Sequence, residues 1–166
     1  MGNLYIATPV ATSAPFDTIE VQTSAALKTL LQVATPAATD IRIHGWGLSF
    51  KGVVATGTPG ECHLIDTDVA ATVTSLTPGK WESAMAPASL CIGGTAATGY
   101  NASAEGTITA IGAVVDAEEL HPQTGYGVWF PEGRRPKVAA SRFLRVRVLF
   151  AVDTAALPWI VWEEPA

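Results

Sequence analysis

The sequence predicts an all-β protein, an antiparallel β-sandwich of jelly-roll type with about eight strands and an extended N-terminal arm. Three observations predict it. Short runs rich in Val, Ile, Thr and aromatic residues alternate in polarity with the period of two that a half-buried strand requires. Gly- and Pro-containing turns follow one another at short, uneven intervals, and nowhere does apolar periodicity sustain a helix of three turns. No tandem repeat is visible, which excludes solenoids and propellers.

Taken in order, NLYIA near the N-terminus is a strand candidate inside a small-residue arm, residues 1–16, that carries Pro9 and Pro15. Such an arm either lies along the domain, residues 17–166, or reaches to a neighbour. From Ala25 to Val33, Leu27, Thr29, Leu31 and Val33 alternate against Lys28, Leu30 and Gln32 as in a strand, although Ala and Leu there also tolerate a helix, and Pro36 ends the run either way. In IRIHGWGLSFKG, Ile41 and Ile43 share one parity while Trp46, Leu48 and Phe50 share the other. One extra residue flips the pleat, so a bulge at Gly45 returns all five to one face. A turn at GTPG introduces a strand over Glu61 to Asp66. Residues 70–76 read as a loop, TPGK as a turn, and Ala88 to Ile92 as a strand.

Further on, EGTITAIGAVV predicts a strand from Glu105 to Val115, weakened by Gly112, with DAEEL as one helical turn closed by His121-Pro122. Tyr126 to Phe130 is a strand halted by PEG. The clearest strand runs from Arg142 to Val152, with Leu144, Val146, Val148, Phe150 and Val152 on one face and Phe143, Arg145, Arg147 and Leu149 on the other. PWIVWEEP supplies the last.

The chain has 166 residues, 48% of them apolar and only 15% charged. A chain of that size buries roughly 70% of its unfolded surface and folds as one domain without disulfide or metal. Cys62 and Cys91 sit in apolar runs and read as two free buried thiols. The net charge of −5 speaks against nucleic acid as a partner. No apolar run reaches the ~18 residues of a membrane helix, so no membrane partner is expected. The N-terminal segment lacks a basic region and a continuous apolar stretch, and Ile6 stands where myristoylation needs Ser or Thr, so neither a signal peptide nor a lipid is expected.

Catalytic chemistry finds few footholds, and the expectation is a protein that is not an enzyme and has no cofactor. His44, His63 and His121 are isolated, with no metal-ligand spacing. Asp66 and Asp68 point the same way on an extended chain, but the VAATVT that follows offers only hydroxyls and carbonyls, and a solvated turn is the simpler reading. Adjacent pairs Glu118-Glu119 and Glu163-Glu164 face opposite ways. No Ser lies in a nucleophile elbow, and the glycines form no phosphate loop.

What remains is surface. Six of the ten basic residues, Arg134, Arg135, Lys137, Arg142, Arg145 and Arg147, fall in one segment. Arg134, Arg135 and Lys137 read either as a solvated loop that keeps an apolar β-protein soluble or as contacts to acidic patches on a partner or a second copy, and the strand face bearing Arg145 and Arg147 must be wet or paired with carboxylates. Of five tryptophans, Trp159 and Trp162 have opposite parity on the last strand, so one points away from the interior, where an indole marks an interface. The candidate partner-interface residues are therefore Arg134, Arg135, Lys137, Trp159 and Trp162.

From Ser24 onward the chain resembles a known group. LKTLLQVATPAATDIRIHGWGLSFKG, GVWFPEGRRPKVAASRFLRVRVLF and the terminal PWIVWEE are similar to segments of the small jelly-roll capsid decoration, or cement, proteins of tailed bacteriophages, especially those of actinobacteria. The resemblance carries no catalytic motif and assigns no contact residue. It implies a structural virion protein on the outer capsid surface, a homotrimer that binds the major capsid protein and stabilises the shell. Two rival expectations stand beside it: a tail-associated, carbohydrate-binding receptor head, for which Tyr100, Asn101 and Tyr126 are the pocket candidates, and, third, an enzyme of the double-stranded β-helix class.

Overall fold

The computed structural model describes residues 2–11, 17–51 and 58–165. Thirteen strands occur among them: β1 (Asn3–Ala7), β2 (Val21–Gln22), β3 (Lys28–Ala34), β4 (Ile41–Lys51), β5 (Gly60–Thr67), β6 (Thr72–Ser75), β7 (Gly79–Lys80), β8 (Gly99–Ala104), β9 (Ile111–Leu120), β10 (Tyr126–Trp129), β11 (Lys137–Val138), β12 (Phe143–Leu149) and β13 (Ala155–Glu164). They form two antiparallel sheets, and the described residues include no helix.

Eight of the strands make the sandwich. One sheet runs β10-β4-β13-β1 and the other β3-β12-β5-β9. From β3 the chain crosses to β4 and returns to β5, and after β9 it alternates again through β10, β12 and β13. That winding is a jelly roll. The long excursion between β5 and β9 adds β8 and β6 beyond β3, and β7 beyond β1.

The segment set apart as an arm contributes to this domain. Asn3–Ala7 pairs on one side with β13 and on the other with β7, burying Tyr5 and Ala7, so β1 is an internal strand of its sheet. Residues 12–16 of the expected arm lie outside the described residues, as does Gly57 of the expected GTPG turn.

The bulge in β4 that the apolar parity requires is present, one residue before the expected Gly45. Val161 of β13 faces Gly45 and Trp162 faces Ile43, so His44 is the extra residue. Ile41, Ile43, Trp46 and Leu48 all point inward and are buried, and Phe50 packs against the same core edge-on to Phe150. Pro158 is tolerated in β13 because the ladder on its other side is interrupted there: β2 pairs Ala155 and Ala156, and β1 begins at Ile160.

Several local readings give way to tertiary context, and the strand expected from Glu105 begins only at Ile111, residues 105–110 having no regular structure. Thr72–Ser75, expected as loop, is strand β6, with Val73 buried beside Ala71 and Ala102 in a small second cluster. Part of the TPGK turn, Gly79–Lys80, is recruited by β1 as β7. Ala88–Ile92 forms no strand; the segment is held by Glu164 instead, which accepts hydrogen bonds from Ser89 Oγ and Leu90 N. Asp116–Leu120, expected as a helical turn, continues β9 because β5 extends alongside it from Leu64 to Gly60. On β12, Leu144, Val146, Val148 and the following Phe150 are buried as the alternation requires, but Val152 lies beyond the strand and is exposed.

Arg145 and Arg147 occupy the face of β12 turned away from the core, and that face is roofed. Residue 69 and Glu105 fold over it, leaving Arg145 fully buried. Its guanidinium donates to Thr29 Oγ1 from Nε (3.0 Å) and Nη2 (2.8 Å), to the Val69 carbonyl (3.3 Å) and to the Glu105 carbonyl (3.1 Å), and it pairs with the Glu105 carboxylate. Arg147 reaches the same carboxylate at 3.4 Å. Burial pulls the Arg145 pKa down, while Glu105 opposes the shift. Arg142 pairs with Asp66 at 2.7 Å. The basic run in sequence is therefore not a basic patch in space.

Candidate functional site

The outer face of the β10-β4-β13-β1 sheet carries the most distinctive surface of the molecule. On β13, parity sends Trp162 inward, fully buried against Tyr5, and Trp159 outward. Trp162 is thereby removed from the interface candidates. Trp159 does not stand alone. Trp129 from β10 lies with its ring centroid 5.2 Å away, and Trp81, just after β7, lies 6.1 Å beyond Trp129, with tilts of 32° and 39°. Trp81 and Trp129 are about half exposed.

The floor beneath these rings is glycine. Gly45 and Gly47 are the outward residues that flank inward-facing Trp46, with Trp129 paired opposite Gly45 and Trp159 opposite Gly47. A Cβ at Gly45 would sit 2.8 Å from Trp129 Cε3, and one at Gly47 would sit 2.8 Å from Trp159 Cζ2 and Nε1. Gly127, opposite Gly47, leaves the same room on β10. Bare backbone thus lets two indoles from opposite neighbours converge over the central strand.

Beside Trp81 and Trp129 opens a cleft of about 800 Å³, lined by charged groups of both signs: Arg42, His44, Glu82, Glu132, Arg135 and Lys137. Glu163 organises its wall. Its carboxylate bonds His44 Nε2 at 3.1 Å, accepts from Gly2 N at 2.9 Å and lies 3.8 Å from Arg135 Nη1. The hydrogen bond with His44, then that from Gly2, with a smaller contribution from Arg135, holds the Glu163 carboxyl below the usual carboxylate range. A depressed carboxylate stabilises the fold fully above its unfolded pKa of about 4.3, and that contribution is lost as pH falls through the lower folded value. Glu163→Gln is accordingly expected to melt below the wild type at pH 7, and the gap is expected to close as the pH is taken down through the carboxylate range. Thermal midpoints of the two proteins across a pH series check this.

The remaining sequence candidates separate. Arg135 and Lys137 line the cleft, and Lys137 pairs with Asp40. Arg134 is exposed on the loop that turns at Gly133, and its backbone N donates to Pro131 O. Tyr100 packs against the core from β8, Asn101 beside it is exposed with a positive φ, and Tyr126 on the opposite sheet donates its hydroxyl to Asp116. The three do not form one pocket. Burial, reinforced by Asp116, raises the Tyr126 pKa.

Asp66 and Asp68 also part: Asp66 pairs with Arg142, while Asp68 accepts from Thr109 and Ala110 and so closes the loop before β9. Cys62 and Cys91 are free and buried; burial pushes the Cys62 thiol up to about 12 and raises Cys91 as well. Among the described residues no three His, Cys, Asp or Glu side chains cluster to hold a metal.

Trp81 and Trp129 were missed as companions of Trp159. The signal available in sequence was the GWG of β4, whose outward glycines leave space that only neighbouring strands fill. Comparisons with protein-family models, with curated proteins and with solved structures returned no match.

Proposed function

We propose that this chain is a structural virion protein, a decoration protein that binds the outer surface of a phage major capsid shell as a homotrimer and stabilises it. The observation that supports this reading is the amount of apolar side chain left in water at the edges of an otherwise well-buried sandwich. Strand β9 is ten residues long and forms the outermost strand of its sheet, bonded within the sheet to β5 alone. Along it Ile111 and Val114 are more than half exposed. A long edge carrying apolar groups is a template for pairing with another chain.

A second apolar area lies on the β7–β8 connection, where Met85 is 92% exposed and Ile92 69%. Leu90 and Ile92 there border a groove completed by the Pro36–Ala38 turn and Phe143. Two separate areas suit a protein with two kinds of neighbour, its own copies and the shell. Modest contacts repeated by trimer symmetry add through avidity, which is how such a protein strengthens a shell without tight single contacts.

The deciding experiment counts copies of this chain in purified particles by quantitative mass spectrometry against the major capsid protein. Hundreds of copies in fixed ratio to the shell subunit are expected; a handful, or none, overturns the reading. In solution, Val114→Lys is expected to shift the chain from trimer to monomer in light scattering, since it places a charge in the proposed pairing edge. A wild type that is already monomeric at high micromolar concentration would remove β9 from the trimer contact.

A further inference from the structure

We infer that the Trp81–Trp129–Trp159 strip and the cleft beside it form a glycan-binding site whose ligand is a neutral oligosaccharide of pyranose rings. The inference does not rest on the decoration reading: Trp81 and Glu82 begin the β7–β8 connection, but the site uses neither the β9 edge nor the groove bordered by Leu90 and Ile92.

Three features select a sugar over another protein. First, successive indoles lie 5.2 and 6.1 Å apart at tilts of 32° and 39°, a tilted, offset row in which Trp81 and Trp129 each stay about half exposed and offer aromatic surface to a ligand. The carbon-bound hydrogens on one face of a pyranose pack on such a surface, the apolar body of an indole taking the apolar face of the ring. Second, the glycine floor fixes the strip. Gly45 and Gly47 let Trp129 and Trp159 rest on backbone, and the neighbouring strands hold them in place before any ligand arrives. A site prepared in this way loses little side-chain entropy on binding.

Third, the adjacent cleft, which the indoles do not themselves line, is walled by hydrogen-bonding groups that include near chain neighbours of Trp81 and Trp129. Glu82 follows Trp81 directly, and Glu132 lies three residues after Trp129. Both line the cleft with Arg42, His44 and Arg135. Donors and acceptors of both signs beside an aromatic face match the hydroxyls around a sugar ring, whereas the centre of a protein interface is depleted of charge. Positive and negative groups are balanced along the cleft, which selects a neutral glycan over an anionic one. The cleft volume of about 800 Å³ lies within the range of sites that hold small ligands.

The test is a glycan array printed with pyranose oligosaccharides and probed with the full chain, followed by tryptophan-fluorescence titration with maltohexaose, cellohexaose and chitohexaose. At least one array glycan is expected to bind, with a shift in indole emission in the titration. Trp129→Ala is expected to weaken binding roughly tenfold or more, Trp129→Phe to recover part of it, and both to keep the thermal midpoint of the wild type. Trp159→Ala and Trp81→Ala give smaller losses. A blank array overturns the proposal, and so does binding that all three alanine variants leave unchanged. Sugar binding by a chain that proves absent from particles would uphold this site while the decoration reading fell.

Discussion

Arg145→Ala is expected to lower the unfolding free energy by about 3 kcal/mol, at the lower end of the range for breaking a buried ion pair. The guanidinium is fully buried and satisfied by Thr29, Val69 and Glu105, whose partners come from three separate parts of the chain. Thr29 and Glu105 are themselves joined, the Thr29 backbone N and Oγ1 both donating to the Glu105 carboxylate. Removing the cation leaves Arg147, at 3.4 Å, and the two Thr29 donors on that carboxylate, and takes from the Val69 carbonyl one of its donors, leaving it Thr67 Oγ1. The Glu105 side chain is 25% exposed, so water recovers part of the loss, which argues against a larger figure.

Arg145→Lys should fall between, because a single ammonium cannot reproduce the fork that spans Thr29 and Glu105. Urea unfolding of wild type, Arg145→Ala, Glu105→Ala and the double variant measures both the cost and the coupling. A cost under about 1 kcal/mol, the ceiling for an exposed pair, would mean the roof over β12 is open in solution.

The second large effect separates two tryptophans three residues apart. Trp162→Ala should cost about 3–5 kcal/mol, as expected for emptying a large aromatic site in a packed core. The ring is fully buried, contacts Tyr5, and donates Nε1 to Glu164 Oε1 at 2.9 Å, the same carboxylate that ties down Ser89 and Leu90. Its loss therefore reaches the β7–β8 connection as well as the core. Trp159→Ala removes a ring from the outer face and should cost less than about 1 kcal/mol, in line with surface substitutions. Parallel urea titrations decide it. Equal costs would mean the outward strip supports the fold as much as the inner ring does.

How far residues predict this molecule depends on whether the determining contact is near or far in the chain. Alternation along Arg142–Val152 identified the inner face of β12 because side-chain direction in a strand is fixed by local geometry. The parity slip in IRIHGWGLSF located the β4 bulge to within one residue for the same reason, and opposite parity at Trp159 and Trp162 established that one of them must leave the core. The all-β class, the two-sheet sandwich and the buried thiols follow from pattern and composition alone.

Only the tertiary structure decided the rest. DAEEL is strand because β5 offers it a partner, and Gly79–Lys80 is strand because β1 does. A ladder hydrogen bond joins residues distant in sequence and has no local signature. Arg145 is buried by residue 69 and Glu105, so its own strand could state the need for a partner but not name it. The aromatic strip belongs to the same class: Trp81, Trp129 and Trp159 come from three separated segments, and their rings meet because outward glycines on β4 leave the space between them. The sequence by itself determined which faces are apolar and which residues need a partner; the fold decided which partners those are, because in a sandwich nearly every such contact is made across strands far apart along the chain.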